Sequence, residues 1–184
     1  MRPPPTLLTP PGVDRLVALV AYDEAGRRLV ADLKFANRRG LVGRLGAALA
    51  AVAPARPDVV TWAPTSARRR RDRGYDQAEL LARVVARRLR CPAARLLVRG
   101  AGQGPQTGRT AAQRLRGPRF EVVGAVGPRV LVVDDVVTTG ATLTAAAHAL
   151  RGGGADAVDA VVVAATPLKA GAQGSDADGG RRRR

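Results

Sequence analysis

The stretch VLVVDDVVTTGAT at residues 130–142 constrains the fold of this 184-residue chain more than any other segment. Val130, Leu131, Val132 and Val133 are apolar without alternation, as expected of a central strand in a parallel sheet covered on both faces. Asp134 and Asp135 then stand at the carboxyl end of that strand, where open α/β sheets place their ligands. After Val136 and Val137 come Thr138, Thr139, Gly140, Ala141 and Thr142, and the alanine-rich residues 143–150 that follow read as a helix. A turn of small and hydroxylated residues opening a helix offers backbone N–H groups, hydroxyls and the positive end of the helix dipole to an anion. Gly140 lets the backbone approach closely or take a positive φ. Acids and turn together suit a phosphorylated sugar.

Other readings of these residues make their own demands. Two acids after a strand can simply cap a helix or face solvent. A phosphoacceptor receiver domain would place such a strand near its start and need a lysine on a later strand, whereas the only lysine beyond residue 135 is Lys169. A P-loop would need a glycine-rich run ending in Gly-Lys-Ser/Thr, and none occurs.

The length fits one α/β domain. Hydrophobic residues make up 46% but aromatic ones only 3%, so the core must be built from Val, Leu and Ala. A formal charge of +16 predicts nonspecific attraction to nucleic acid in vitro. Part of that charge lies in the terminal arginines 181–184, however, where a basic run is usually solvated. Cys91 is the lone cysteine, so no intrachain disulfide forms, and no apolar stretch is long enough to span a bilayer. The proline-rich start lacks a signal-peptide core, which leads to an expected cytoplasmic location without membrane attachment.

Along the chain, residues 1–16 read as a poorly ordered proline-rich segment, 17–168 as the folded domain and 169–184 as a disordered basic tail. The expected elements are a strand at 17–21, a turn at 22–26, and helical spacing from Arg27 to Leu33 and again from Leu41 to Leu49. A strand at 59–62 leads into the basic loop APTSARRRRDRG at 63–74 and an amphipathic helix at 77–89, with Leu80, Leu81, Val84, Val85 and Leu89 on one face. Short strands at 96–98 and 120–123 flank a long polar loop. The strand at 130–133, its helix and a strand at 158–163 complete a βαβ unit.

Strand, paired acids and TTGAT resemble the phosphoribosyl-pyrophosphate (PRPP) signature of type I phosphoribosyltransferases. Two further segments narrow the resemblance to the ComF/GntX-like branch: Arg73-Gly74-Tyr75-Asp76-Gln77 with Leu80, Leu81 and Ala82, and Gln106-Thr107-Gly108 with Arg114. Tyr75 and Asp76 stand where that branch usually has Phe and Asn, Arg109 where Leu is common, and its frequent N-terminal four-cysteine zinc finger is absent.

The resemblance implies a type I phosphoribosyltransferase fold, a mostly parallel central sheet flanked by helices, with a mobile hood loop. It implies that Asp134 and Asp135 hold the ribose hydroxyls and that Thr138, Thr139, Gly140, Ala141 and Thr142 hold the 5′-phosphate. The pyrophosphate would fall to Thr65, Ser66, Ala67, Arg68, Arg73 and Gly74, and the hood would contribute Gln106, Gly108 and Arg114. It also implies Mg²⁺, held through PRPP rather than directly by the protein, and displacement of pyrophosphate by a nitrogenous acceptor that the sequence leaves unidentified. A homodimer is an assembly open to such a protein. The alternative function is a non-catalytic PRPP- or nucleotide-binding protein, or one related to DNA uptake.

Overall fold

The most apolar segments of the chain form the middle of the sheet, because only there are both faces of a strand covered. The computed structural model describes residues 7–35, 39–54, 56–65, 75–100 and 118–167. Its elements are β1 (Arg15–Ala21), α1 (Glu24–Phe35), α2 (Arg39–Ala51), β2 (Val59–Trp62), α3 (Gln77–Leu89), β3 (Leu97–Arg99), β4 (Phe120–Val122), β5 (Arg129–Val137), α4 (Ala141–Gly152) and β6 (Ala157–Ala165). The main sheet runs β1-β6-β5-β2 with every pair parallel, and β3 and β4 form a separate antiparallel pair.

Alternate side chains of the two central strands feed two cores. Val130, Val132, Val158, Ala160 and Val162 pack towards α4 and the β3–β4 pair, with Leu143, Ala146, Ala147 and Leu150 opposite them. Leu131, Val133, Val161 and Val163 pack towards α1, α2 and α3, meeting Val30, Leu33, Leu49, Leu81 and Val85. Each fully buried Leu or Val contributes roughly 1.5–3 kcal/mol relative to exposure, so small aliphatic residues suffice without aromatic bulk. Helices α2 and α3 approach closely where Gly46 faces Val84, since a Cβ on that glycine would lie 2.5 Å from the valine.

Several boundaries differ from the sequence expectation for identifiable reasons. Helix α1 begins at Glu24, inside the expected turn, because the Asp23 carboxylate accepts the Gly26 N–H at 3.0 Å and satisfies a first-turn amide. Leu80 is 36% exposed, and the buried face of α3 is instead Ala78, Leu81, Ala82, Val85 and Ala86. That helix ends where Arg90 takes left-handed φ 56°, ahead of Pro92.

The proline-rich start also differs from Leu7 onward. Pro10 and Val13 are buried, the Asp14 N–H donates to the Val158 carbonyl at 2.8 Å, and β1 starts at Arg15. Among the described residues, no helix is long and apolar enough to cross a membrane.

Candidate functional site

A difference in strand length creates the site. Strand β5 runs to Val137 rather than stopping at Val133, because β6 pairs with it over its whole length, up to Val137 against Ala165. Its other neighbour, β2, ends at Trp62 opposite Val133, with a last backbone bond from the Ala63 N–H to the Val133 carbonyl at 3.3 Å. Pro64 follows and has no N–H to donate. Residues 60 and 94 bond on the far side of β2, so the odd-numbered residues face β5 and Thr65 would supply the next rung. Its N–H is instead taken by the Asp76 carboxylate at 2.9 Å. From Asp134 onward, one flank of β5 therefore lies open.

That opening is a crevice of about 220 Å³ lined by Ala63, Pro64, Thr65, Asp76, Gln77, Ala78, Arg99, Asp134, Asp135, Val136, Thr138 and Thr142. The acidic pair thus lies within the second half of a strand rather than beyond its end. Neighbouring residues of a strand point to opposite faces, yet both acids reach the same crevice because β2 no longer separates the faces there. Asp134 is only 9% exposed and accepts the Asp135 N–H at 2.8 Å. Burial pushes its carboxyl well above the ordinary carboxylate range, and the charges of Asp135 and Asp76 push it in the same direction.

The turn after β5 opens α4 through Gly140, which has φ 77° and contributes no capping side chain. The Thr139 hydroxyl accepts the Ala141 N–H at 3.4 Å, and the Thr144 N–H closes onto the Gly140 carbonyl at 2.9 Å. Asp76 caps α3 by accepting the Ala78 N–H at 3.1 Å, so one carboxylate ties together the chain on both sides of residues 66–74. Burial raises its pKa against those hydrogen bonds. Replacing it, Asp76→Ala, is expected to cost about 1–2 kcal/mol in urea unfolding by removing a helix cap and stranding the Thr65 N–H. A loss indistinguishable from zero would show that water replaces both bonds.

Of the residues singled out from sequence, Asp134, Asp135, Thr138, Thr142 and Thr65 line this one crevice. Thr139, Gly140 and Ala141 complete the same turn. Ser66, Ala67, Arg68, Arg73, Gly74, Gln106, Gly108 and Arg114 lie outside the described residues. Sequence reasoning missed Arg99, which lines the crevice, donates through Nε to the Pro64 carbonyl at 3.0 Å and lies 5.6 Å over the Phe120 ring. It reads as the first residue of a polar loop, and no local pattern marks the last residue of a three-residue strand as a site. Gln77, only 2% exposed, belongs to the Arg73-Gly74-Tyr75-Asp76-Gln77 motif but was not assigned to the site.

Asp76, Asp134 and Asp135 supply carboxyl oxygens and Arg99 one cation among the described residues, and carboxyl oxygens are donors of the type a hard metal ion takes. No cluster of three or more His, Cys, Asp or Glu capable of holding a metal by itself occurs among the described residues. A second cavity of about 280 Å³ lies at the amino ends of the strands, among Arg15, Arg56, Arg129, Asp14 and Asp159, away from the acidic pair and its turn.

Residues 76–180, more than half of the chain, match the phosphoribosyl transferase domain family. This chain belongs to that family and is a ComF-like type I phosphoribosyltransferase in fold. It is 32% identical over 164 residues to the DNA utilization protein YhgH of Escherichia coli (strain K12), an alignment covering 83% of this chain and 72% of that protein. An orotate phosphoribosyltransferase of Cenarchaeum symbiosum (strain A) is 42% identical over 82 residues, covering 44% of this chain and 36% of the relative. Among solved structures, the glutamine PRPP amidotransferase from B. subtilis complexed with ADP and GMP superposes with a TM-score of 0.53 at 22% identity. That match spans 72% of this chain but only 30% of the amidotransferase, and is a likeness of fold.

Proposed function

We propose that this protein binds PRPP with Mg²⁺ in the β5 crevice and transfers the phosphoribosyl group to a nitrogenous acceptor, releasing pyrophosphate. The observation that carries the reading is the meeting, in one opening of the sheet edge, of the acidic pair, the threonine-lined turn and the chain leaving β2. Asp134 and Asp135 accept hydrogen bonds from the ribose hydroxyls, and these bonds offset the burial that raises Asp134. The turn from Thr138 to Thr142 and the amino end of α4 take the 5′-phosphate. Thr65 and Arg99 line the side of the crevice left for the pyrophosphate and meet its charge as it develops.

Bound Mg²⁺ supplies neutralisation of the departing pyrophosphate. Displacement at ribose C1 passes through an oxocarbenium-like state, so catalysis is positioning and electrostatics and no protein nucleophile is required. The test is incubation with PRPP, Mg²⁺ and a panel of nitrogenous bases while measuring pyrophosphate. Release dependent on one base supports transfer, and the absence of both binding and release would overturn the reading.

A second reading is favoured by the relatives named as DNA utilization proteins and by the charge of +16. Here the same crevice binds PRPP or a nucleotide without turnover, and the basic surface meets DNA. Binding without pyrophosphate release, together with a salt-dependent gel shift that survives removal of residues 181–184, would support it over transfer.

A further inference from the structure

The turn that opens α4 faces a conflict between rigidity and access. A Ser, Thr, Asp or Asn at the helix N-cap would hold the turn by bonding a first-turn N–H, but would occupy a donor that a phosphate needs. The N-cap here is Gly140, which makes no side-chain cap. Within the turn the Thr139 hydroxyl accepts the Ala141 N–H at a long 3.4 Å, which leaves room for support from outside.

The chain provides an apolar support from the other end of the sequence. Pro10 is buried and covers Gly140 so closely that a Cβ on the glycine would fall 2.9 Å from the proline Cγ and 3.1 Å from its Cβ. Proline has no N–H, so its ring packs there without competing for phosphate oxygens. Its carbonyl accepts the Val13 N–H at 3.1 Å, turning the chain so that Val13 enters the core. Just beyond, Gly12 lies against His148 and Ala147 of α4, and its carbonyl accepts Arg151 Nε at 2.9 Å. Arg151 Nη2 also reaches both Asp14 oxygens at 2.8 and 2.7 Å, and the Asp14 carboxylate accepts the Val158 N–H at 2.8 Å. The segment is thus fastened to the far end of α4 and to β6, with Pro10 bearing on the helix's opening turn.

We infer that Pro10 is a positioning residue for the 5′-phosphate, a strut that braces the Gly140 turn from outside and adds to the Thr139 bond within it. The inference rests on the proposed phosphoribosyl site and assigns the proline-rich start a part in it. Because the strut bears on the phosphate turn and not on the chain leaving β2, its removal weakens ribose 5-phosphate and spares inorganic pyrophosphate.

The experiment is calorimetry of the full chain with ribose 5-phosphate and, separately, with pyrophosphate, both with Mg²⁺. The variants are Pro10→Ala, Pro10→Val and, as a control at an exposed neighbour, Pro11→Ala. Pro10→Ala should weaken ribose 5-phosphate roughly tenfold, as expected when a positioning contact is lost, and leave pyrophosphate unchanged. Pro10→Val, which keeps branched bulk over Gly140, should recover most of the loss, and Pro11→Ala should match the parent. Equal weakening of both ligands, no weakening at all, or no rescue by valine would each overturn the strut while leaving the site reading intact. Failure of the parent protein to bind either ligand would overturn both.

Discussion

Replacing both acids of the β5 pair, Asp134→Asn with Asp135→Asn, is expected to abolish PRPP binding measured by calorimetry with Mg²⁺ while the protein stays folded. Hydrogen bonds to charged groups contribute about 1.5–3 kcal/mol each, so loss of two should lower affinity more than roughly a hundredfold. The fold should survive because both positions lie beyond the stretch of β5 covered by β2, and the backbone pairing of β5 with β6 around them does not depend on their side chains. Asparagine at 134 can still accept the neighbouring N–H that Asp134 accepts at 2.8 Å. Unchanged PRPP affinity in a folded double variant would refute the assignment of the crevice.

The single change Asp134→Asn separates function from stability. Burial raises the Asp134 pKa above its unfolded value, so the folded state favours the protonated form. Its contribution to stability is fully present below the ordinary carboxylate range and is lost as pH rises through the raised folded value. The parent protein should therefore lose stability across that window, and the asparagine variant should show a flatter profile in urea unfolding measured over pH. Identical slopes would mean that the carboxylate finds solvation in the crevice. A carboxyl whose charged form is disfavoured by burial is common at binding sites, where a ligand can provide the missing partners.

What the sequence could show depended on the range of the forces involved. Strand β2 and helix α3 fall on the expected residues 59–62 and 77–89, because both are bounded by local signals: prolines near the strand, an acid cap and a broken apolar period around the helix. The end of β5 was not legible, since its extension to Val137 depends on the length of β6, about 28 residues away in pairing. Nor was the role of Asp76, which by motif stands in for an asparagine. Its bond to Thr65 spans residues 66–74 and can be recognised only once the chain on both sides is placed. The acids and the threonine turn were legible because they are contiguous. Arg99 and Pro10 were not, because each reaches the site through the fold, 35 residues from Pro64 in one case and 130 from Gly140 in the other.

Gly140→Ala is expected to destabilise the protein by about 2 kcal/mol or more and to weaken ribose 5-phosphate binding as well. Two costs combine. An L-residue at φ 77° sits in the left-handed region, which costs roughly 1–2 kcal/mol. The new Cβ also lies 2.9 Å from Pro10 Cγ, a contact that forces either the ring or the turn to move and adds an overpacking cost of about 1 kcal/mol or more. Helix propensity does not offset these costs, because residue 140 caps the helix from a non-helical conformation. A double-mutant cycle with Pro10→Gly apportions them. Removing the ring should return the packing cost but leave the backbone strain, so the Gly140→Ala penalty should fall by roughly half in the Pro10→Gly background. A penalty unaffected by residue 10 would show that the ring yields freely and that φ alone reserves the position for glycine. A penalty that vanished would show that the turn relaxes its backbone once the ring is gone, so that the left-handed φ at residue 140 is imposed by Pro10 and not by the turn itself.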